Sequence, residues 1–239
     1  MKRVVLFLAL VLLLCTDCPA AQSRQAALSE TSPAKQLVLK AQTAPYAKGL
    51  QLLDEALALA PSSAEIYTAR AMSHESAEQF DKAIADCDKS IALDPEAWET
   101  YLIKGRCLQS AGEYDKALNA VADAEKHNNN ERSYDRYQIP LIRGTCYYHL
   151  KRFDEASKQL RHALHMDDGV KCADAYYYLA LCQIARGAKR GAVENLSTAI
   201  DTKPKPEYFK TRARLYSDLG DRKLAEQDLR KASSYKMQR

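Results

Sequence analysis

Glycine is scarce in this chain, eight in 239 residues. That leaves little material for a phosphate-cradling loop, and neither a G-x-G-x-x-G nor a P-loop string occurs. No lysine and arginine run interleaved with aromatics is present, and a net charge of +4 is too mild to argue for nucleic acid. The strings H-E-x-x-H and G-x-S-x-G are missing, as is a catalytic Cys/His string, so the sequence assembles no acid, base and nucleophile. Beyond the first residues there is no long apolar run. What remains is the composition of a folded protein, 46% hydrophobic and 28% charged, long enough for one or two ordinary domains.

The first residues differ in kind. Lys2 and Arg3 precede an unbroken apolar run from Val4 to Leu14, followed by cysteine, proline and small residues. This is the layout of a secretory signal peptide over residues 1–21. The run is shorter than the roughly 20 residues a membrane-spanning helix needs. Cleavage after Ala20 satisfies the small-x-small rule through Cys18 and Ala20, with Ala21 as the other choice. A lipoprotein reading is weak because Leu14, not a small residue, precedes Cys15. The expectation is export to a periplasmic or secreted location, with a membrane anchor formed by an uncleaved leader as the alternative. Residues 22–29 read as a flexible linker.

The rest of the chain repeats itself. "QFDKAIADCDKSIALDP", "EYDKALNAVADAEK" and "RFDEASKQLRHALHMDD" place Ala83, Ala117 and Ala156 in one slot. The same slot falls on Gly49, Ala192 and Ala225, at intervals of 34, 34, 39, 36 and 33 residues. Seven residues further on stand Ala56, Ser90, Ala124, Ala163, Ala199 and Ala232, small every time. A period in this range means stacked units rather than one globular core. Each unit reads as two helices: one rich in aromatic and small residues, a polar or glycine turn, then a second with apolar residues at helical spacing, as in Ala83, Ile84, Cys87 and Ile91. Pro61, Pro95 and Pro204 close three of the units, since proline cannot continue a helix. Ala71, Gly105, Gly144, Ala180 and Ala213 supply short side chains on the first helix where the hairpin must close.

Tyr67, Ala71, Phe80, Ala83, Ser90 and Pro95 stand in the order of the tetratricopeptide repeat signature, as do Tyr101, Gly105, Leu108, Tyr114, Ala117 and Ala124. The chain from residue 30 to residue 239 therefore resembles that family. The resemblance implies an all-α superhelical solenoid of about six helix hairpins, with units at 30–63, 64–97, 98–136, 137–172, 173–205 and 206–239. The first unit is degenerate, Pro140 replaces an aromatic in the fourth, and the extra residues of the longer units enlarge the loop "HNNNERSYDR".

Arg70 and Asp86 lie 16 residues apart on the two helices of one unit, and Arg212 and Asp228 repeat that spacing. Where Leu179 replaces the arginine, Asn195 replaces the aspartate. This reads as a partly buried salt bridge that sets hairpin register. Of seven cysteines, Cys15 and Cys18 fall in the leader and five remain. Cys107, Cys146 and Cys182 share one slot and read as small buried apolar side chains. Packed helices about 8–10 Å apart disfavour a disulfide between equivalent slots, while Cys172 with Cys182 or Cys146 stays open. His162 and His165 sit one turn apart and read as surface residues, with no metal site inferred. The N-x-S string at Asn195 falls in mid-helix, a poor glycosylation acceptor.

The resemblance also implies a concave groove lined by the first helices, and places Leu102, Arg106, Leu141, Tyr148, Tyr177, Leu181, Ile184, Lys210 and Arg214 on it. The middle of that surface is apolar and aromatic, and acidic residues outnumber basic ones along it. The chaperone-tail clamp of the family needs Lys and Asn at positions held here by Thr68 and Met72, so a C-terminal carboxylate ligand is not implied. The resulting expectation is a non-enzymatic scaffold with no cofactor, no small-molecule substrate and no nucleic acid. It would bind a peptide or helix with apolar anchors and modest basic character. The alternative is a structural subunit or homo-oligomer of a membrane-associated complex, docking through the solenoid ends near Leu224, Leu229 and Tyr235.

Overall fold

The computed structural model describes residues 32–128, 137–166 and 172–235. The leader, the linker, most of the "HNNNERSYDR" loop and Asp167/Asp168 lie outside them. The described residues form twelve α-helices and no strand, arranged as six hairpins. These are α1 Pro33–Thr43 with α2 Tyr46–Leu59, α3 Ala64–Ser76 with α4 Phe80–Leu93, and α5 Trp98–Ser110 with α6 Tyr114–His127. They continue as α7 Gln138–His149 with α8 Phe153–Met166, α9 Ala173–Ala185 with α10 Lys189–Thr202, and α11 Pro206–Leu219 with α12 Arg222–Ser234. None of these helices is long and apolar enough to cross a membrane.

Local chemistry starts and stops the helices. Ser32 caps α1, its hydroxyl accepting from the Lys35 backbone N–H, and Pro33 and Pro206 open α1 and α11, where a missing N–H costs nothing. The five hairpin turns after the first share one device. The second residue past the first helix, at Glu78, Gly112, Lys151 and Gly187, or the first, at Gly220, adopts a left-handed conformation with φ between 58° and 91°. The next residue's N–H then reaches back to a carbonyl five positions earlier, as from Glu113 to Leu108 and from Arg152 to Tyr147. Glycine takes this conformation without strain, whereas Glu78 and Lys151 hold it against their own Cβ atoms.

The repeated small residues sit where the hairpins close. Ala71, Ala83, Ala117, Ala156, Ala180 and Ala192 are all fully buried. A Cβ on Gly105 would lie 2.6 Å from a methyl of Val121, and one on Gly144 would lie 2.6 Å from Leu160 Cγ. Each apolar cluster then spans more than one hairpin: Leu53 and Ile66 join the first to the second, Cys87 and Ile103 the second to the third, Val121 and Ile142 the third to the fourth. Leu160 and Leu179 continue the row, and Leu196 and Phe209 complete it. First helices of neighbouring hairpins also touch one another, α1 with α3, α3 with α5, α5 with α7 and α7 with α9, so they line the inside of the curve.

Buried ion pairs fix the register of this stack. Arg70 donates twice to Asp86, both at 2.8 Å, and a third time to Asp54 of the preceding hairpin at 2.7 Å. Arg212 repeats the arrangement, with bonds of 2.7 and 2.9 Å to Asp228 and one of 2.9 Å to Ser197. The sequence spacing missed the inter-hairpin half of this pattern. Lys104 and Arg143, in the slot of Arg70, pair backward with Asp88 at 2.6 Å and Glu125 at 2.7 Å. In the fifth hairpin, where that slot holds Leu179, Asn195 donates instead to Gln183 at 2.8 Å. Cys87, Cys107, Cys146 and Cys182 are free buried thiols, so neither pairing left open for Cys172 exists, and burial pushes Cys107 and Cys146 up to about 12.

Two variants test this account. Lys151→Gly relieves the left-handed strain and is expected to stabilise the fold by about 0.5–1 kcal/mol in urea unfolding, against the usual trend for added glycine. Arg212→Met leaves Asp228, 3% exposed, without its partner and is expected to cost about 3–5 kcal/mol, most of it recovered in Arg212→Met/Asp228→Leu.

Candidate functional site

Two cavities occupy the inner wall and meet. The larger, about 650 Å³, lies across α1, α3 and α5 and is lined by Val38, Glu65, Met72, Trp98, Glu99 and Leu102 among others. The smaller, about 310 Å³, lies across α5, α7 and α9 and reaches Leu141, Thr145, Asp174 and Tyr178. Arg106 and Gln138 belong to both. The wall is therefore one channel with a polar divide.

Arg106 makes that divide. Its guanidinium donates to both oxygens of Glu75 at 2.7 Å and to the Gln138 side-chain carbonyl at 2.7 Å, so it ties α3, α5 and α7 together. Gln109 adds a bond of 2.7 Å to Thr145. On the floor of the larger cavity Thr68, Ser90 and Thr100 bond to one another, Thr68 at 2.8 Å from each of the other two. Ser90 also donates to the Ala64 carbonyl at 3.0 Å. These hydroxyls are satisfied internally, as buried polar groups must be.

The groove residues expected from the sequence separate into three groups. Leu102 faces the larger cavity but is only 3% exposed, because it packs in the cluster that holds Val121, Ile139 and Ile142; it is a core residue rather than an open anchor. Leu141, Tyr148, Tyr177, Leu181 and Ile184 are half-buried. Tyr148 packs edge-on against Tyr178 at 5.3 Å between centroids, Tyr178 against Tyr177 at 5.6 Å, and Tyr177 against buried Tyr208 at 4.7 Å. Burial pushes the Tyr178 phenol up to about 12 and the Tyr208 phenol higher still, the latter also donating to Asp174. These rings satisfy one another as a continuous wall. Lys210 and Arg214, on α11, are exposed. Among the residues lining the larger cavity, the apolar side chain that stands open is Met72, 50% exposed, while Trp98 is half-buried.

A third cavity, about 320 Å³, lies where the first two hairpins meet and is lined by Asp54, Arg70, His74, Lys82 and Asp86. His74 is 7% exposed; its Nδ1 lies 3.0 Å from the Tyr46 hydroxyl and its Nε2 3.8 Å from Asp86. Burial lowers its pKa, Asp86 opposes that shift, and Arg70 and Lys82 reinforce it. His162 and His165 are exposed on α8. Among the described residues no three His, Cys, Asp or Glu side chains are placed to hold a metal ion.

Three tetratricopeptide repeat models match the chain, one over residues 74–138, one over 46–97 and 147–205, and one over 211–236, together more than half of it. No curated protein matches significantly. Among solved structures, PilW, described as a widely conserved type IV pilus biogenesis factor, superposes with a TM-score of 0.73 at 15% identity, covering 83% of this chain and 91% of PilW. PilF of Pseudomonas aeruginosa gives 0.69 at 16% identity over 82% and 88% of the two chains. YrrB, described as a repeat protein of the same type with an unusual peptide-binding site, gives 0.53 at 19% identity over 75% and 90%.

The His74 environment has a measurable consequence. A histidine held below its ordinary pKa in the folded state contributes stability above about pH 6.5 that is lost as pH falls through the folded value. Between about pH 7.5 and pH 5 the melting temperature of the parent is expected to fall further than that of His74→Gln. Equal falls would mean that His74 is not held below its ordinary value.

Proposed function

Because the chain belongs to the tetratricopeptide repeat family, we propose that it is a non-enzymatic interaction scaffold that holds a peptide or helix of another protein against its inner wall. One observation carries this reading: two cavities adjoin at Arg106 and Gln138 along an inner wall that runs from α1 to α9. The wall is preformed. Ion pairs and mutually packed rings hold it in place, so a ligand meets a surface that needs little ordering. In this reading Leu141, Tyr148, Tyr177, Leu181 and Ile184 form the apolar track, and Lys210 and Arg214 lie at its far end. A ligand that follows this track runs from the acidic hairpins toward those two cations. The peptide-binding site stated for YrrB supports a peptide as the ligand, by analogy of fold.

The leader at residues 1–21 would carry the scaffold out of the cytoplasm, either released or held by an uncleaved leader. The pilus-biogenesis role stated for PilW, whose fold this chain shares, supports a part in a larger assembly, by analogy of fold. A second reading rests on the last hairpin. There Leu224, Leu229 and Tyr235 are 41%, 50% and 36% exposed, an apolar end-face on which another copy or a complex subunit could dock.

Photocrosslinking separates these readings. A crosslinker placed at Met72 or Tyr148 on the inner wall is expected to capture one discrete partner, and one placed at Ala92 on α4 is not. Tyr148→Ala/Tyr177→Ala should weaken that partner's binding about tenfold with helical content unchanged. Capture from Leu229 alone, with concentration-dependent dimers in light scattering, would favour the end-face instead.

A further inference from the structure

The larger cavity has a charge that the whole chain does not. The chain carries a net +4. Yet Glu65, Asp94 and Glu99 line this cavity, among the described residues no lysine does, and Arg106, which also lines it, is neutralised by two bonds to Glu75. Glu65 and Glu99 are exposed, occupy equivalent positions on α3 and α5, and have no partner among the described residues. Met72, half exposed, and half-buried Trp98 line the same cavity. The floor hydroxyls are bonded to one another and leave no donor for an anionic ligand.

We propose that this cavity takes a cationic amphipathic segment of another protein, with apolar side chains packing on Met72 and Trp98 and lysines or arginines facing Glu65 and Glu99. The proposal rests on the groove reading and specifies what occupies its first half. Apolar burial supplies affinity, and the two carboxylates supply selectivity. A net positive protein repels a cation at long range, but beyond about 10 Å at 0.1 M salt that repulsion is screened and the local field decides. A volume of about 650 Å³ is in the range of ordinary ligand pockets, enough for side chains of a docked segment rather than a whole folded domain.

The test uses three labelled helical peptides of about 15 residues with one leucine face and lysine, glutamine or glutamate on the other. Fluorescence anisotropy against the full chain is expected to rank them lysine, glutamine, glutamate, with about tenfold between the first and last. Glu65→Gln/Glu99→Gln should abolish that ranking, and Glu55→Gln/Asp123→Asn, an equal charge change on the second helices, should leave it intact. Equal binding of all three peptides, a preference for glutamate, or a ranking that survives Glu65→Gln/Glu99→Gln would overturn the proposal while leaving the groove reading standing. Binding of none of them would overturn both.

Discussion

A helix hairpin nests against its neighbours only if its crossing point is filled by side chains no larger than a methyl group. In this chain that condition is met six times over. Alanine or glycine occupies the closing slot of every second helix, and those at positions 49, 83, 117, 156, 192 and 225 are all buried. At Gly105 and Gly144 even a methyl would collide with Val121 or Leu160. Once hairpins close this tightly, each exposes an apolar flank that it cannot cover alone, and the next hairpin covers it. Core clusters that run from one hairpin into the next are the physical result, and the curved inner wall follows from the contacts between successive first helices.

Apolar nesting does not by itself choose a register, because methyl groups pack almost as well after a small slide. The polar groups supply that choice. Arg70 and Arg212 each reach one carboxylate on their own hairpin and one acceptor on the hairpin before, so a slide in either direction would strand a buried charge. The fifth hairpin dispenses with charge and uses an amide pair, Asn195 with Gln183, at the same level of the stack. Arg106 does for the inner wall what Arg70 does between hairpins, and in doing so divides the channel.

The two halves of that channel differ in what they have left to offer. Toward the C-terminal end the tyrosines pack on one another and Asp174 is occupied by Lys205 and Tyr208, so the wall is largely self-satisfied. Toward the N-terminal end Met72 and two carboxylates remain open over a larger cavity. Unsatisfied apolar and charged surface is where a partner gains free energy. Under the proposed reading the first three hairpins are thus the better anchor, and the tyrosine wall is the track along which a longer segment would extend.

The repeat and the hairpins were legible from the sequence because small residues at near-constant spacing admit few other packings. The Arg70–Asp86 and Arg212–Asp228 pairings were legible too, since both partners lie within one hairpin at fixed separation. The pairing of Arg106 with Glu75, the backward bonds of Lys104 and Arg143, and the burial of Leu102 were not, because each depends on how one hairpin sits on the next. The left-handed turns at Glu78 and Lys151 escaped notice for a similar reason: neither residue type announces that conformation, and only closure of the hairpin imposes it. The sequence by itself determined the periodic hairpin and its closing contacts, since those are local steric requirements. Which groove side chains stay open, and the sign of the charge they present, was decided only by the tertiary stack, because burial and ion pairing between hairpins are set by distances no linear spacing encodes.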